Sequence, residues 1–182
     1  MPATKTSKEE ILRKSTHLIW EQGYKHTSFS DLSKACGIQS AHFYYYFKDK
    51  EDLMTQVLEN SAELFRQKIF SVAYRDELPA EERLAVIIKK LNVFYTKNYG
   101  GCMFGNVVLE TAHADSPFLE VVRELFKDFI AALKHIYASK MSEAEAQSKA
   151  ILTIQQLEGA IMMMRLYKDR SFVDNAWAKI TL

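Results

Sequence analysis

Apolar residues return every three or four positions through most of the chain, the spacing that gathers them on one side of a helix. Ser7 with Glu10 forms a capping-box pair, and Ile11, Leu12, Ser15, Leu18 and Ile19 follow on one face. A first helix is therefore predicted up to Gln22, with Gly23 as its stop. Ser28 caps a short second helix bearing Phe29, Leu32 and Ala35. Cys36 and Gly37 interrupt it, Gly37 supplying the positive φ of a left-handed helix end. Ile38 is expected to fill the gap before a third helix. That helix opens on Gln39, Ser40, Ala41 and His42 and closes on Phe43, Tyr44, Tyr45, Tyr46 and Phe47. Asp49 caps a fourth, predicted to reach about Val72 with Leu53, Val57, Leu64, Phe65 and Ile69 inward.

Residues 76–79 break the rhythm and Ala80 restarts it, with Leu84, Ile87, Ile88, Leu91, Phe94 and Tyr95 marking a fifth helix that ends at Gly100 and Gly101. A shorter helix is expected from 102 to about 113, and Asp115, Ser116 and Pro117 close it and open the next. Over 118–137 the apolar positions fill two faces. Phe118, Val122, Leu125, Phe129 and Leu133 form one; Leu119, Phe126, Ile130 and Tyr137 form the other. Ser142 opens a helix carrying Ile151, Ile154, Leu157, Ile161, Met164 and Leu166, and residues 172–182 supply one short helix more. Two long helices apolar on more than one side need partners on both. One side is expected to meet the same helices of a second copy in a four-helix bundle.

The second and third helices have the pattern of a helix-turn-helix, whose second helix presents its first residues to base edges in the major groove. Small Ser40 and Ala41 allow close approach, and Gln39 and His42 offer hydrogen bonds to base edges. Tyrosine hydroxyls, Lys48 and Lys50 suit phosphates, which set register without carrying sequence information. Phe43 and Phe47, four apart, are expected in the core, while Tyr44 and Tyr45 lie on other faces.

Thr27, Ser28 and Phe29, then Gly37 and Ile38, then the run from Tyr44 through Tyr45, Tyr46, Phe47, Lys48, Asp49, Lys50, Glu51 and Asp52 to Leu53 resemble the signature of the TetR family of bacterial transcriptional regulators. That family usually carries His where Tyr46 stands, Ser where Gln39 stands and Gly where Ala41 stands. The resemblance implies DNA contacts at Ser28, Gln39, Ser40, His42, Tyr44, Tyr45 and Lys50. It also implies an effector pocket and dimerisation through the last long helices. The expected architecture is all-α: an N-terminal three-helix helix-turn-helix domain (residues 1–52), joined by a long helix to a C-terminal helical bundle (residues 53–182) for ligand binding and dimerisation. The expected function is sequence-specific repression at double-stranded operator DNA by a homodimer, relieved by a small-molecule effector.

Composition narrows the alternatives. A chain of 182 residues, 48% hydrophobic and 12% aromatic, is long enough for a real core and is not disordered. Net charge is only +1, and residues 1–54 hold eight basic against seven acidic side chains, so any affinity for nucleic acid rests on placement rather than total charge. Two cysteines without a Cys-x-x-Cys pair, and no secretory apolar stretch after Met1, point to a reducing cytoplasm. No run approaches the roughly 18 apolar residues of a membrane span.

The middle helices carry more aromatic and sulfur side chains than a bundle needs. Phe65, Tyr95, Tyr99, Cys102, Met103, Phe129 and Met163, with Phe94, Phe104 and Tyr167, are candidates to line a ligand cavity. Asn106, Glu110 and His113 are candidate polar anchors within it. For each one taken alone, ordinary core is the plainer reading. Cys102 follows two glycines at a helix start, where backbone amides lower a thiol pKa, so an electrophile- or redox-sensing regulator is the alternative; a small buried hydrophobe is the plain reading. An enzyme is not expected: the five histidines are scattered, and no Gly-x-Gly-x-x-Gly, P-loop or His-Glu-x-x-His occurs. Neither cofactor nor metal is expected, since Glu110, His113 and Asp115 lack a fourth ligand. A helical protein-interaction adaptor is the remaining alternative, and its binding would not weaken steeply with salt.

Overall fold

The computed structural model describes residues 7–96, 100–111 and 116–182. Among them the regular structure is helical: α1 (Lys8–Gln22), α2 (Phe29–Cys36), α3 (Ser40–Tyr46), α4 (Lys50–Lys68), a 3-10 helix (Phe70–Tyr74), α5 (Ala80–Thr96), α6 (Met103–Thr111), α7 (Phe118–Tyr137), α8 (Glu143–Tyr167) and α9 (Ser171–Lys179). The starts follow from local chemistry. Ser7 accepts from the Glu10 amide, and Asp49 accepts from the Asp52 amide. Ser28 with Asp31, and Ser142 with Glu145, close reciprocal capping boxes. Gly37 ends α2 in the left-handed conformation at φ 69°.

Ile11, Leu32, Phe43, Phe47, Leu53 and Val57 are fully buried, so the three N-terminal helices share one core with the first half of α4. The second half of α4 packs on α7, which packs in turn on α8. One helix therefore runs the length of a continuous core, from the N-terminal helices to α7 and α8.

Four local expectations differ from the structure. On α2 it is Cys36 that is buried, while Ala35 faces solvent, because the short helix turns Leu32, Ser33 and Cys36 toward α1. α4 stops at Lys68 rather than near Val72: Ile69, at φ −118° and ψ −61°, leaves the helix and the chain tightens into the 3-10 turn. That turn buries Phe70 and stacks it on Phe129 of α7 at 5.0 Å, a tertiary contact that overrides helix continuation. Leu64 is half exposed rather than inward.

The fourth difference concerns the long helices. α7 buries Phe118, Val122, Leu125, Phe129 and Leu133 as expected, but its second apolar set also packs within the chain. Tyr137 is buried and its hydroxyl lies 3.0 Å from that of Thr153 on α8. The solvent side of α7 carries Glu120, Arg123, Glu124 and Lys127, paired along the helix. α8, by contrast, has apolar residues on both sides. Ile154, Leu157, Ile161 and Met164 point inward, and Leu152, Met162, Leu166 and Tyr167 are exposed.

Candidate nucleic-acid interface and ligand recess

The turn between α2 and α3 is fixed by a few directed bonds. Gly37 lets the chain reverse, and the Ile38 amide donates to the Ser33 carbonyl at 3.1 Å. Ser33 Oγ donates to the Phe29 carbonyl at 2.6 Å, which uses its single proton. Ser40 Oγ, 2.9 Å away, is therefore the donor to Ser33, and this bond ties the start of α3 to α2. Below it, Phe43 stacks on Phe29 at 5.4 Å and anchors the helix in the core.

With Phe43 and Phe47 inward, the opposite face of α3 is left outward. Gln39, Ser40, Ala41 and His42 are exposed, as are Tyr44 (63%) and Tyr45 (82%). Gln39 holds the N-cap backbone position without spending its side chain on the cap. Tyr44 leans edge-on against Phe29, and Tyr45 edge-on against Tyr46, so both rings are braced. Ser28 is exposed beside this face, its hydroxyl engaged with Asp31, whose carboxyl that bond and the Ser28 amide hold below the ordinary range. Lys48 is exposed next to it, its amide donating to Asp52.

Other cations go elsewhere. Lys50 Nζ lies 4.3 Å over the Tyr24 ring, and partial burial lowers its pKa against the pull of Glu110. Lys14 Nζ reaches the Cys36 carbonyl and Glu10, bracing α1 on α2. Lys50 thus sits on a seam between the α1–α2 turn and α6. Trp20 Nε1 donates to the Gly101 carbonyl at 2.7 Å and its ring stacks on Phe94. Glu110 accepts from the Lys25 amide at 2.9 Å, which places it on this seam.

Four of the expected ligand residues divide between two recesses. Phe65 and Met103 line one of about 390 Å³, together with Trp20, Ser61 and Phe94. Cys102 and Asn106 line another of about 470 Å³ between α6, α7 and α8, with Val108, Phe126 and Met162. Phe129 belongs to the core stack with Phe70, and Met163, half-buried on α8, lines neither recess. Tyr95 is buried, its hydroxyl 3.9 Å from Cys102 Sγ. Tyr99, His113 and Asp115 lie outside the described residues.

The second recess is mostly apolar with three polar groups. Asn106 donates to the Gly100 carbonyl and accepts from Arg165 Nη1 at 2.7 Å. Glu158 sits among apolar neighbours, and burial raises its pKa, a bond from Cys102 opposing. Sequence reasoning missed Glu158 and Arg165, although Glu158 is the one charged residue from 150 to 164. The thiol of Cys102 follows the plain reading, a small buried side chain. The Gly105 amide does approach Sγ at 3.4 Å, but burial and the neighbouring Glu158 push the thiol pKa far upward. Desolvation at this site opposes the thiolate that a sensor would need.

Comparison with known proteins places this geometry. The family profile described as bacterial regulatory proteins, tetR family, matches residues 11–57. A second, described as the C-terminal domain of LmrA/YxaF-like transcriptional regulators, matches residues 79–178. An HTH-type transcriptional regulator of Lactococcus lactis, from the lacX 3' region, is 26% identical over 94% of this chain and 89% of its own length. The HTH-type transcriptional repressor DhaR of Mycobacterium sp. (strain GP1) is 26% identical over 92% and 86%. The crystal structure of a TetR transcriptional regulator from Legionella pneumophila superposes with a TM-score of 0.86 at 22% identity, covering 98% of this chain and 96% of that one.

Proposed function

The chain belongs to the tetR family of bacterial regulatory proteins and is a DNA-binding transcriptional regulator; from that premise we propose a homodimeric repressor that leaves its operator when a small molecule occupies the second domain. The observation that carries this reading is the outward face of α3, with polar Gln39, Ser40 and His42 held over buried Phe43. Gln39 and His42 meet base edges in the major groove; Ser28, Ser40, Tyr44, Tyr45 and Lys48 meet the backbone. Lys50 reaches phosphate only by leaving Tyr24.

The second copy docks on α8. Supporting this are the exposed Leu152, Met162, Leu166 and Tyr167, and Gly159 between them, where an added Cβ meets nothing within 4 Å of its own chain. Two copies so joined carry two recognition helices to half-sites about one helical turn apart. The effector enters the recess beside Asn106, Glu158 and Arg165, and residues 1–52 and 53–182 act as the two functional parts. Linkage requires that effector to bind more tightly to the DNA-incompetent arrangement. α4 and the Trp20–Gly101 and Lys25–Glu110 bonds are the links through which the two parts bias each other.

Selection of binding sites from a random duplex library tests the proposal. Enrichment of a pseudo-palindrome is expected; a library that stays unenriched at moderate salt would refute it. A protein-interaction adaptor would leave the library unchanged as well, and its partner would bind with little dependence on salt.

A further inference from the structure

Between α1, the end of α4 and α5 runs an open trough of about 880 Å³, apart from the α3 face and from the Glu158 recess. Its lining is largely apolar, with the Trp20 and Phe94 rings, Ile69, Val86 and Val93, itself 53% exposed, beside His17. Around it stand Lys68, Lys89 and Lys90. Among the described residues none of these lysines has a carboxylate within ion-pair distance, although neighbouring cations do. Arg66 pairs with Asp128, Lys134 with Glu143 and Lys140 with Glu81. Because Trp20 Nε1 is already bonded to Gly101, the indole offers the trough its apolar ring.

Three unpaired cations beside a hollow of ligand size demand a particular chemistry. A neutral apolar molecule would leave the lysines unanswered, and a cation would be repelled by them. We propose that this trough binds a free, single-chain amphiphilic anion, its acidic head on Lys68, Lys89 and Lys90 and its chain against Trp20, Phe94 and Val93. Such a ligand touches α1, which braces the helix-turn-helix, and α5 of the second domain at once. The proposal stands independently of operator and effector, since the site is read without either.

Trp20 is its own reporter. The chain has two tryptophans, and the other, Trp177, is buried with an unbonded Nε1, so Trp177→Phe leaves Trp20 as the sole indole without removing a hydrogen bond. Full-length Trp177→Phe protein titrated with monomeric 11-bromoundecanoate should show saturable quenching, reversed by laurate and not by dodecanol or dodecyltrimethylammonium. Adding Lys89→Glu and Lys90→Glu should weaken binding at least about tenfold with an unchanged melting curve. Calorimetric titration of unaltered protein with laurate should give the same affinity as the competition. Quenching that never saturates, equal reversal by the alcohol or the cation, an affinity indifferent to charge reversal, or binding only to phosphatidylglycerol vesicles would each overturn the proposal.

Discussion

Phe43 and Gln39 lie four residues apart and answer to different physics. Phe43 has no exposed surface, so Phe43→Ala should cost about 3–5 kcal/mol and show as a lowered melting temperature. Gln39 faces outward with a free side chain; Gln39→Ala should leave melting unchanged yet reduce discrimination at one base pair by about 1–3 kcal/mol, measured against operator variants. Glu158 carries a pH signature. Its folded-state pKa is raised above the ordinary 4.5 by burial, so its charge burdens the fold as pH rises past that value and not below it. Glu158→Gln should therefore melt higher than the unaltered protein at pH 8 by calorimetry, the gap closing as pH falls toward about 4.5. A gap independent of pH would contradict the burial argument. Phe43 and Gln39 were legible in sequence because helical spacing separates their faces. Trp20, Glu110 and Lys50 were not: the first two bond to partners more than 80 positions away, and Lys50 lies over a ring 26 positions back.

Elements announce themselves through their ends. Ser7, Ser28, Asp49 and Ser142 were legible as caps because a cap is a short-range bond between a side chain and an amide two or three residues on. The end of α4 was not legible, since stacking of Phe70 on Phe129 decides it and no local feature reports that contact. α7 and α8 looked alike in sequence, both apolar on two faces. Only packing shows that α7 spends both sets within the chain while α8 leaves Leu152, Met162 and Leu166 outside. Charge placed on that stripe should cost the monomer little and the assembly much. By sedimentation velocity the unaltered protein is expected to run as a dimer and the Leu152→Glu, Leu166→Glu double variant as a folded monomer. A double variant that still sediments as a dimer would move the interface off α8.

The molecule as a whole is nearly neutral, so its affinity for a polyanion has to come from where side chains stand. In the proposed reading the outward tip of α3, with Lys48 beside it, supplies that placement, and the bonds of Trp20 and Glu110 tie α1 and the turn after it to α6 and the turn before it. The family resemblance read from residues 27–53 extends beyond them, because residues 79–178 match a regulator profile that spacing alone did not specify. The decisive measurement is fluorescence anisotropy of the protein on a selected duplex and on its scrambled counterpart, each titrated between about 50 and 200 mM salt. Tighter binding to the selected duplex, weakening steeply with salt and losing its preference in the Gln39→Ala, His42→Ala double variant, is the expected result. Equal affinity for both duplexes, or a preference untouched by those two substitutions, would contradict a recognition role for the α3 tip.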